Sequence, residues 1–361
     1  MKVFHCDHCG NLVFFENTTC VACGRVLAYL PEARTVASLD TADEGQWTTP
    51  AMPGTTYRLC ANYLSSQVCN WALPADSETD LCRSCQLTEI IPAVAADPAA
   101  HEAWYRLEVA KRRLLFTVMA LKLPVDDRRT DPEGGLAFQF MADPKPCEAG
   151  PAVLTGHAEG VITINIAEAD DAERERRRKA MREPYRTLVG HMRHEIGHYY
   201  WDRLVRGTPD LDGFRTLFGD ETRDYGAALQ AHYDQGAPPD WQTRFVSAYA
   251  SAHPWEDWAE TWAHYLHMFD TLETAAACGV SLRPRRRDEP ALARTPDPAG
   301  DRSVSFDWLI DSWFPLTYMM NNLNRGLGLG DPYPFVLSAP VIDKLRFIHE
   351  LIERPRQKRR L

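Results

Sequence analysis

The segment His194-Glu195-Ile196-Gly197-His198 combines residue types and a spacing that suit metal-assisted hydrolysis. Two imidazoles four residues apart lie on one face of a helix, about 6 Å apart along its axis, so both can bind one Zn²⁺. The carboxylate of Glu195 projects beside that metal, where it can deprotonate a zinc-bound water. The pattern predicts a catalytic zinc with His194 and His198 as ligands and Glu195 as general base.

A catalytic zinc needs a third protein ligand and one open position. Trp201 and Leu204 occupy the positions where the extended H-E-x-x-H-x-x-G-x-x-H pattern has Gly and His, which excludes that variant. The segment 253–267 offers carboxylates instead, because Glu256 and Glu260 form a polar stripe on a Trp-rich helix. Carboxylates facing into such a helix are costly unless a metal or hydrogen bonds compensate them.

The spacing of these two carboxylates favours Glu256 as the third ligand. In the thermolysin-like arrangement, a carboxylate four residues after the ligand Glu accepts a hydrogen bond from the first ligand His and fixes its tautomer. This assigns Glu256 to the metal and Glu260 to His194. The alternative is that Glu260 is the third zinc ligand. Weaker alternatives are His253, Asp257 and His264.

Eight of the ten cysteines lie within residues 1–90, in two groups of four. Four thiolates on one Zn²⁺ can replace a hydrophobic core in a small module, and Gly after a C-x2-C turn relieves its backbone. The first group has two such turns, each followed by Gly, as in a zinc ribbon. The second group has only one C-x2-C turn. Its cysteines could therefore also be free, or another residue could complete the site. The two groups are Cys6, Cys9, Cys20 and Cys23, and Cys60, Cys69, Cys82 and Cys85. We therefore expect one catalytic and one or two structural zinc ions.

A small sheet and several helices are predicted to position these residues. The clearest strand in the β-like region 136–166 is Val161–Ile166, which is rich in Ile. Pro184 is predicted to begin the helix that carries both histidines, and Gly207 to end it. Other helical patterns cover about 97–124, 171–182, 220–235, 240–250, 254–278, 306–326 and 338–353.

Two segments lack such patterns and are predicted to be loops. Residues 31–56, between the cysteine groups, are rich in Thr, Ala, Pro and Asp, and residues 283–304 are rich in Pro, Arg and Asp. The chain therefore divides into a zinc ribbon at 1–30, a second cysteine-rich zinc-binding segment at 31–92, and a mainly helical region with a small sheet at 93–361. The predicted fold class is α+β.

Composition and charge indicate which class of partner and which cellular compartment to expect. Among 361 residues, Lys and Arg number 40 and Asp and Glu 50, which leaves a formal net charge of −10. Residues 1–90 contain five basic and ten acidic side chains, whereas phosphate binding requires a basic footprint. This favours a protein partner over nucleic acid for the ribbon. With no apolar run of about 18–20 residues and no signal-peptide core, we expect a cytoplasmic protein without a membrane span.

Together, these motifs resemble the bacterial zinc-binding metallopeptidases that carry an N-terminal zinc ribbon, over nearly the whole chain. The resemblance implies a zincin-like metallopeptidase domain after the ribbon. The label of that family rests largely on its H-E-x-x-H motif. The similar segments are Cys6-x2-Cys9-Gly10, Phe14–Asn17, Leu59–Tyr63, Ile162–Asn165, His194–Asp202, Trp255–Glu260, Leu323–Arg325 and Tyr333–Ser338.

The catalytic half is also similar to the lethal-factor type of gluzincin, which has H-E-F-G-H followed by E-x-x-A-E. In that type, a Tyr seven residues before the ligand Glu helps stabilise the oxyanion. This resemblance implies the same role for Tyr249, seven residues before Glu256, although the surrounding sequence differs. His253 is an alternative donor to the charge on the scissile carbonyl oxygen. Tyr249 as a helix-packing aromatic is the other interpretation.

The favoured hypothesis is a zinc metallopeptidase that hydrolyses a peptide or protein substrate through a zinc-bound water activated by Glu195. In this hypothesis, Val161–Ile166 is an edge strand that pairs with extended substrate. The first alternative is a zinc-ribbon scaffold that binds a protein partner and has a non-catalytic zincin domain. The second is a DNA-associated protease of the SprT-like class, against which the acidic ribbon argues.

Overall fold

A computed structural model describes residues 2–43, 45–94, 97–144, 151–180, 183, 185–300 and 304–358. The chain separates into two compact units: residues 1–119 with 125–171, and residues 120–124 with 172–361. The fold is mixed α+β, as predicted, with its sheets in the first unit and mainly helices in the second. None of the helices in the described part of the chain has the length and apolar character that a membrane span requires.

The described residues of the first unit form three sheets. A two-stranded sheet is formed by β1 (Phe4–His5) and β2 (Leu12–Val13). An antiparallel sheet follows in the order β3 (Val26–Leu30), β4 (Thr35–Thr41), β5 (Trp47–Thr48), β6 (Tyr57–Leu59) and β7 (Ala72–Pro74). A mixed sheet has the order β10 (Gly156–Ala158), β11 (Val161–Asn165), β9 (Ala137–Met141) and β8 (Thr88–Ile90). The helices of this unit are α1 (Ala61–Leu64), α2 (Arg83–Gln86) and α3 (Pro98–Ala120).

The predicted loop at 31–56 is instead part of the second of these sheets. Strand β4 pairs with β3 in an antiparallel ladder from Val26 opposite Leu39 to Leu30 opposite Thr35, and then with β5. Its central side chains are buried. The loop prediction was wrong because small residues suit a sheet interior when neighbouring strands cover them, and strand preference depends on that context.

Helix α3 packs on the zinc-ribbon segment through one buried ring. The Phe116 ring lies 6.1 Å from that of Phe4, 5.6 Å from Phe15 and 5.9 Å from Tyr29. Truncation of a buried Phe typically costs about 3–5 kcal/mol. The ribbon therefore depends on α3 for part of its core, in addition to any metal that its cysteines bind.

Strand β11 lies inside its sheet, so the prediction of a substrate-pairing edge at Val161–Ile166 was wrong. Strand β11 pairs antiparallel with β10 on one side and parallel with β9 on the other. From Val161 to Thr163 its backbone is therefore paired with a neighbour on each side, whereas substrate pairing requires a free row. The edges of this sheet are β10 and β8.

The second unit is built from helices. These are α4 (Asp171–Ala180), α5 (Leu188–Leu204), α6 (Leu211–Phe218), α7 (Tyr225–Gln235), α8 (Pro254–Ala277), α9 (Phe306–Gly326) and α10 (Ala339–Lys358). Helix α5, which carries both histidines, begins after Thr187, whose hydroxyl accepts a hydrogen bond from the Gly190 N–H. Pro184, the predicted start of this helix, lies outside the described residues.

No α-helix forms at 240–250, where the sequence predicts one. Two short 3₁₀ helices, Trp241–Thr243 and Tyr249–Ser251, occupy this segment. The Thr243 hydroxyl donates to the Asp240 carbonyl at 2.7 Å, and the Ser251 hydroxyl to the Ala248 carbonyl at 2.6 Å. Such local bonds compete with the α-helical ladder, which explains the error.

Close packing of α5 against α8 sets the geometry of the histidines. A Cβ atom on Gly197 would lie 3.0 Å from the Ala259 Cα and 3.2 Å from the Trp262 Cβ. The Trp258 indole N–H also donates to the Gly197 carbonyl at 2.8 Å. Glycine between the two histidines thus allows α8 to approach the backbone of α5.

Candidate metal centre

Helices α5 and α8 together present three metal-binding side chains. His194 and His198 lie one turn apart on α5, and the centres of their rings are 5.0 Å apart. Glu256, in the first turn of α8, brings its carboxylate to the same point. One ligand atom from each of these three residues lies within 4.8 Å of the other two.

The two oxygens of Glu256 have different surroundings. Oε2 lies 3.0 Å from His194 Nε2 and 3.8 Å from His198 Nε2, whereas Oε1 accepts a hydrogen bond from the Tyr225 hydroxyl at 2.5 Å. Burial raises the pKa of Glu256, but the charges of His198 and His194 together outweigh it and lower the pKa to about 2. The carboxylate is therefore ionised at neutral pH.

This arrangement fits a zinc ion. Glu256 Oε2 is buried and has no hydrogen-bond partner among the described residues. Because ionised Glu260 can only accept, His194 donates from Nδ1, and the Nε2 of a neutral ring then turns its lone pair toward Oε2. Two acceptors this close repel each other unless a cation or a proton lies between them. Two imidazole nitrogens and one carboxylate oxygen form a donor set that zinc prefers.

Glu260 lies on the opposite side of the His194 ring. Its Oε1 is 2.7 Å from His194 Nδ1, and its Oε2 accepts from the Ser247 hydroxyl at 2.6 Å. Burial raises the pKa of Glu260, but the His194 hydrogen bond and charge outweigh it, and the pKa is lowered. An ionised carboxylate at this position holds the His194 ring with Nε2 directed toward Glu256.

Glu195 is buried on the same helix as the histidines. Its Oε1 lies 3.3 Å from Nε2 of His191, one helical turn earlier. Burial raises the pKa of Glu195, but the hydrogen bond from His191 and the charge of His194 outweigh it, so the pKa is lowered. An ionised carboxylate in this position can accept a proton.

The two predicted oxyanion donors have contrasting surroundings. The Tyr249 ring centre lies 6.0 Å from that of His194, and burial and the Glu256 charge raise the pKa of its hydroxyl, which stays protonated. His253 Nδ1 accepts from the Trp255 N–H at 3.1 Å, and its Nε2 donates to the Arg223 carbonyl at 3.2 Å. With both ring nitrogens bonded to backbone, His253 caps α8.

The remaining alternatives for a third ligand have other partners. Asp257 Oδ2 accepts from the buried Lys344 ammonium at 2.6 Å. His264 Nδ1 lies 2.8 Å from the Tyr333 hydroxyl. The structure therefore brings Glu256, and neither of these side chains, to the two imidazoles of α5.

The eight cysteines form two clusters that could each hold a metal ion. Within each group of four, the sulfurs lie within 4.8 Å of one another. Gly10 and Gly24, which follow the two ribbon turns, have left-handed φ angles of 73° and 74° that favour glycine. Cys9 of the first cluster is exposed, whereas all four cysteines of the second are buried.

Backbone donors and one guanidinium surround the second cluster. The Cys82 N–H donates to Cys60 Sγ at 3.3 Å, and the Trp71 N–H to Cys69 Sγ at 3.4 Å. Burial lowers the pKa of Arg112 on α3, but the charges of Cys69, Glu108 and Cys85 together outweigh it, and the pKa is raised. These contacts stabilise thiolates, which are the form that binds zinc.

Comparisons with known proteins agree with these clusters. Residues 100–351 match the family model described as "Putative zinc-binding metallo-peptidase", and residues 3–96 match that of a zinc-ribbon domain. The chain belongs to this metallo-peptidase family. The predicted resemblance is thus confirmed, and the family together with the two four-cysteine clusters supports zinc binding.

Two similar proteins come from mycobacteria. Uncharacterized proteins of Mycobacterium bovis and Mycobacterium tuberculosis are 44% identical to this chain over 354 residues, which are 98% of its length and 96% of theirs. Comparison with the solved structures finds none that matches. Membership of the metallo-peptidase family therefore supports a peptidase.

Three residues at the centre of this metallo-peptidase domain were missed by sequence reasoning. His191 contacts Glu195 across four residues of one helix, so helical spacing alone could have found it. Tyr225 and Ser247 contact Glu256 and Glu260 from outside α8. No local pattern marks either residue, because only tertiary packing brings it to the site.

Proposed function

We propose that this chain is a zinc-dependent peptidase in which His194, His198 and Glu256 hold the catalytic metal. The observation that supports this most directly is the convergence of their three ligand atoms beside buried Glu195. Three protein ligands leave a position for water or substrate, as catalytic zinc requires. The proposed substrate is a peptide or protein.

Glu195 is the proposed general base and acid. When bound, zinc supplies Lewis acidity, which polarises the scissile carbonyl and acidifies a water molecule. The ionised Glu195 carboxylate accepts a proton from that water, because a side chain next to His194 projects beside the metal site. It then returns the proton to the leaving amine, as a group that alternates between base and acid must. His191 keeps the carboxylate oriented between these two steps.

Tyr249 is the proposed donor to the carbonyl oxygen. Its hydroxyl is protonated and its ring lies beside His194. A protonated phenol can donate to the negative charge that develops on the oxygen during attack. In this proposal, Glu260 acts through His194, whose ring it holds in place.

Substitution of Glu195 by Gln tests this function. We expect the wild-type protein to cleave members of a peptide library read by mass spectrometry, and Glu195→Gln to lose at least about 100-fold in rate. Zinc content should be equal in both. Glu350→Gln, an exposed position on α10, is the control. Wild-type rates in Glu195→Gln would overturn the role of Glu195, and zinc-loaded wild-type protein that cleaves no peptide would support the scaffold alternative.

We also propose that each four-cysteine cluster holds a structural zinc and that the acidic ribbon contacts protein. Elemental analysis should then find three zinc ions per chain. Loss of one ion in His198→Ala and of another in Cys82→Ser would assign them to sites. Salt-dependent binding of duplex DNA to the intact chain would contradict the proposed ribbon partner and favour the DNA-associated alternative.

A further inference from the structure

The Glu256 carboxylate is held from one side by a residue of another helix. Its Oε1 accepts from the Tyr225 hydroxyl at 2.5 Å, and its Oε2 is left facing His194 Nε2 at 3.0 Å. One oxygen is thus occupied by a neutral donor and the other is presented to the two imidazoles. A quarter-turn of the carboxylate about its last bond would lose both contacts.

Contacts with neighbouring rings hold the Tyr225 ring in place, so that its hydroxyl points at Glu256. Its ring centre lies 5.2 Å from that of His253 at 85° and 6.0 Å from that of Trp255 at 62°. The carboxylate of Asp224 caps α7 by accepting from the Ala227 N–H at 2.8 Å. The buried His253 ring also donates to the Arg223 carbonyl, which joins the start of α7 to the start of α8.

We propose that Tyr225 is a positioning residue that holds Glu256 with Oε2 toward the catalytic metal. The proposal rests on the proposed zinc centre. A hydrogen bond to one oxygen of a ligand carboxylate restricts its rotation and makes the other oxygen available to the metal. Loss of such an outer partner typically weakens metal binding by about 10- to 100-fold.

The same contact links the metal to helix α7. This helix has no buried side chain among its described residues, so its N-terminal contacts contribute strongly to its attachment. If Tyr225 favours the metal-binding orientation of Glu256, bound metal favours the Tyr225 contact by the same free energy, because linkage is reciprocal. Zinc should therefore slow amide hydrogen exchange near the N-terminus of α7.

Substitution of Tyr225 by Phe removes only the hydroxyl. We expect zinc affinity at the catalytic site, measured by competition with a chromophoric chelator, to fall about 10- to 100-fold. Tyr233→Phe on the same helix is the matched control, because Tyr233 is 58% exposed and should leave the affinity unchanged. In protein whose cysteine sites keep zinc, Co²⁺ at the third site should show an altered visible spectrum in Tyr225→Phe only.

Two results would overturn the proposal. One is a Tyr225→Phe affinity within threefold of wild type, and the other is identical exchange of α7 amides in wild-type protein with and without zinc. The exchange measurement needs no variant, so it decides the matter even if Tyr225→Phe folds poorly. His198→Ala separates this failure from that of the proposed function: if it keeps all its zinc, the proposed metal centre itself is wrong.

Discussion

His194 and Glu260 are joined by a contact of 2.7 Å between Nδ1 and Oε1, across the ring from the Glu256 carboxylate. The imidazole therefore lies between two carboxylates, one at each nitrogen. A carboxylate at Nδ1 fixes the tautomer that leaves Nε2 for a metal and raises the basicity of that nitrogen. This relationship makes Glu260 a test of how the proposed ligand is oriented.

Replacement of Glu260 by Gln should weaken the catalytic zinc without displacing the structural ones. The amide keeps the shape of the side chain but loses the charge that His194 faces, so we expect about a 10- to 100-fold loss in zinc affinity. Chelator competition measures this loss, and Glu353→Gln on α10 is a control distant in sequence. Unchanged affinity would show that the contact does not orient the ligand.

Substitution of Gly197 by Ala should push α5 away from α8. An added methyl would lie 3.0 Å from the Ala259 Cα, and overpacking of this kind costs about 1–3 kcal/mol, against about 1 kcal/mol gained in helix propensity. We expect Gly197→Ala to lower the free energy of unfolding and zinc affinity together. In Gly226→Ala on α7, the nearest atom would be 3.6 Å away, so only the propensity gain remains. Equal unfolding midpoints for the two variants would contradict the packing argument.

The two four-cysteine clusters should release zinc at different rates. Cys9 of the first cluster is exposed, whereas all four cysteines of the second are buried, so a chelator reaches the second only after local unfolding. A chromophoric chelator should therefore show a faster phase for the first cluster. The fast phase should disappear in Cys9→Ser and persist in Cys82→Ser, and the reverse assignment would refute the prediction.

Acid should destabilise the protein partly through His264. Burial lowers the pKa of this imidazole to about 4 from its ordinary 6.5, with Glu260 acting weakly in the other direction. The unfolded chain therefore binds the proton more readily, and stability is lost as pH falls from about 6.5 to about 4, by about 3 kcal/mol in full.

His264→Gln tests this contribution, because Gln does not titrate and its amide can donate to or accept from the Tyr333 hydroxyl. The free energy of unfolding, measured with urea at pH 5 and pH 7, should change less with pH in this variant than in the wild type. An equal change in both proteins would mean that His264 does not carry this pH dependence.

Local geometry was the part of this protein that its sequence predicted best. His194, His198 and Glu195 follow from helical periodicity, which is the same in every protein, and the cysteine turns with Gly10 and Gly24 follow from backbone geometry. The α+β class and the family resemblance were also predicted from these motifs, and both are confirmed.

Relationships between distant segments depended on the tertiary structure. Strand β4 was mistaken for a loop and β11 for an edge, because the partners of a strand are set by the whole sheet. Packing of α8 on α5 decided that Glu256 faces Nε2 of His194 while Glu260 faces Nδ1, and it brought Tyr225 to Glu256 from 31 residues away. Sequence spacing alone determines which side chains share a helix face, whereas long-range packing determines which faces meet.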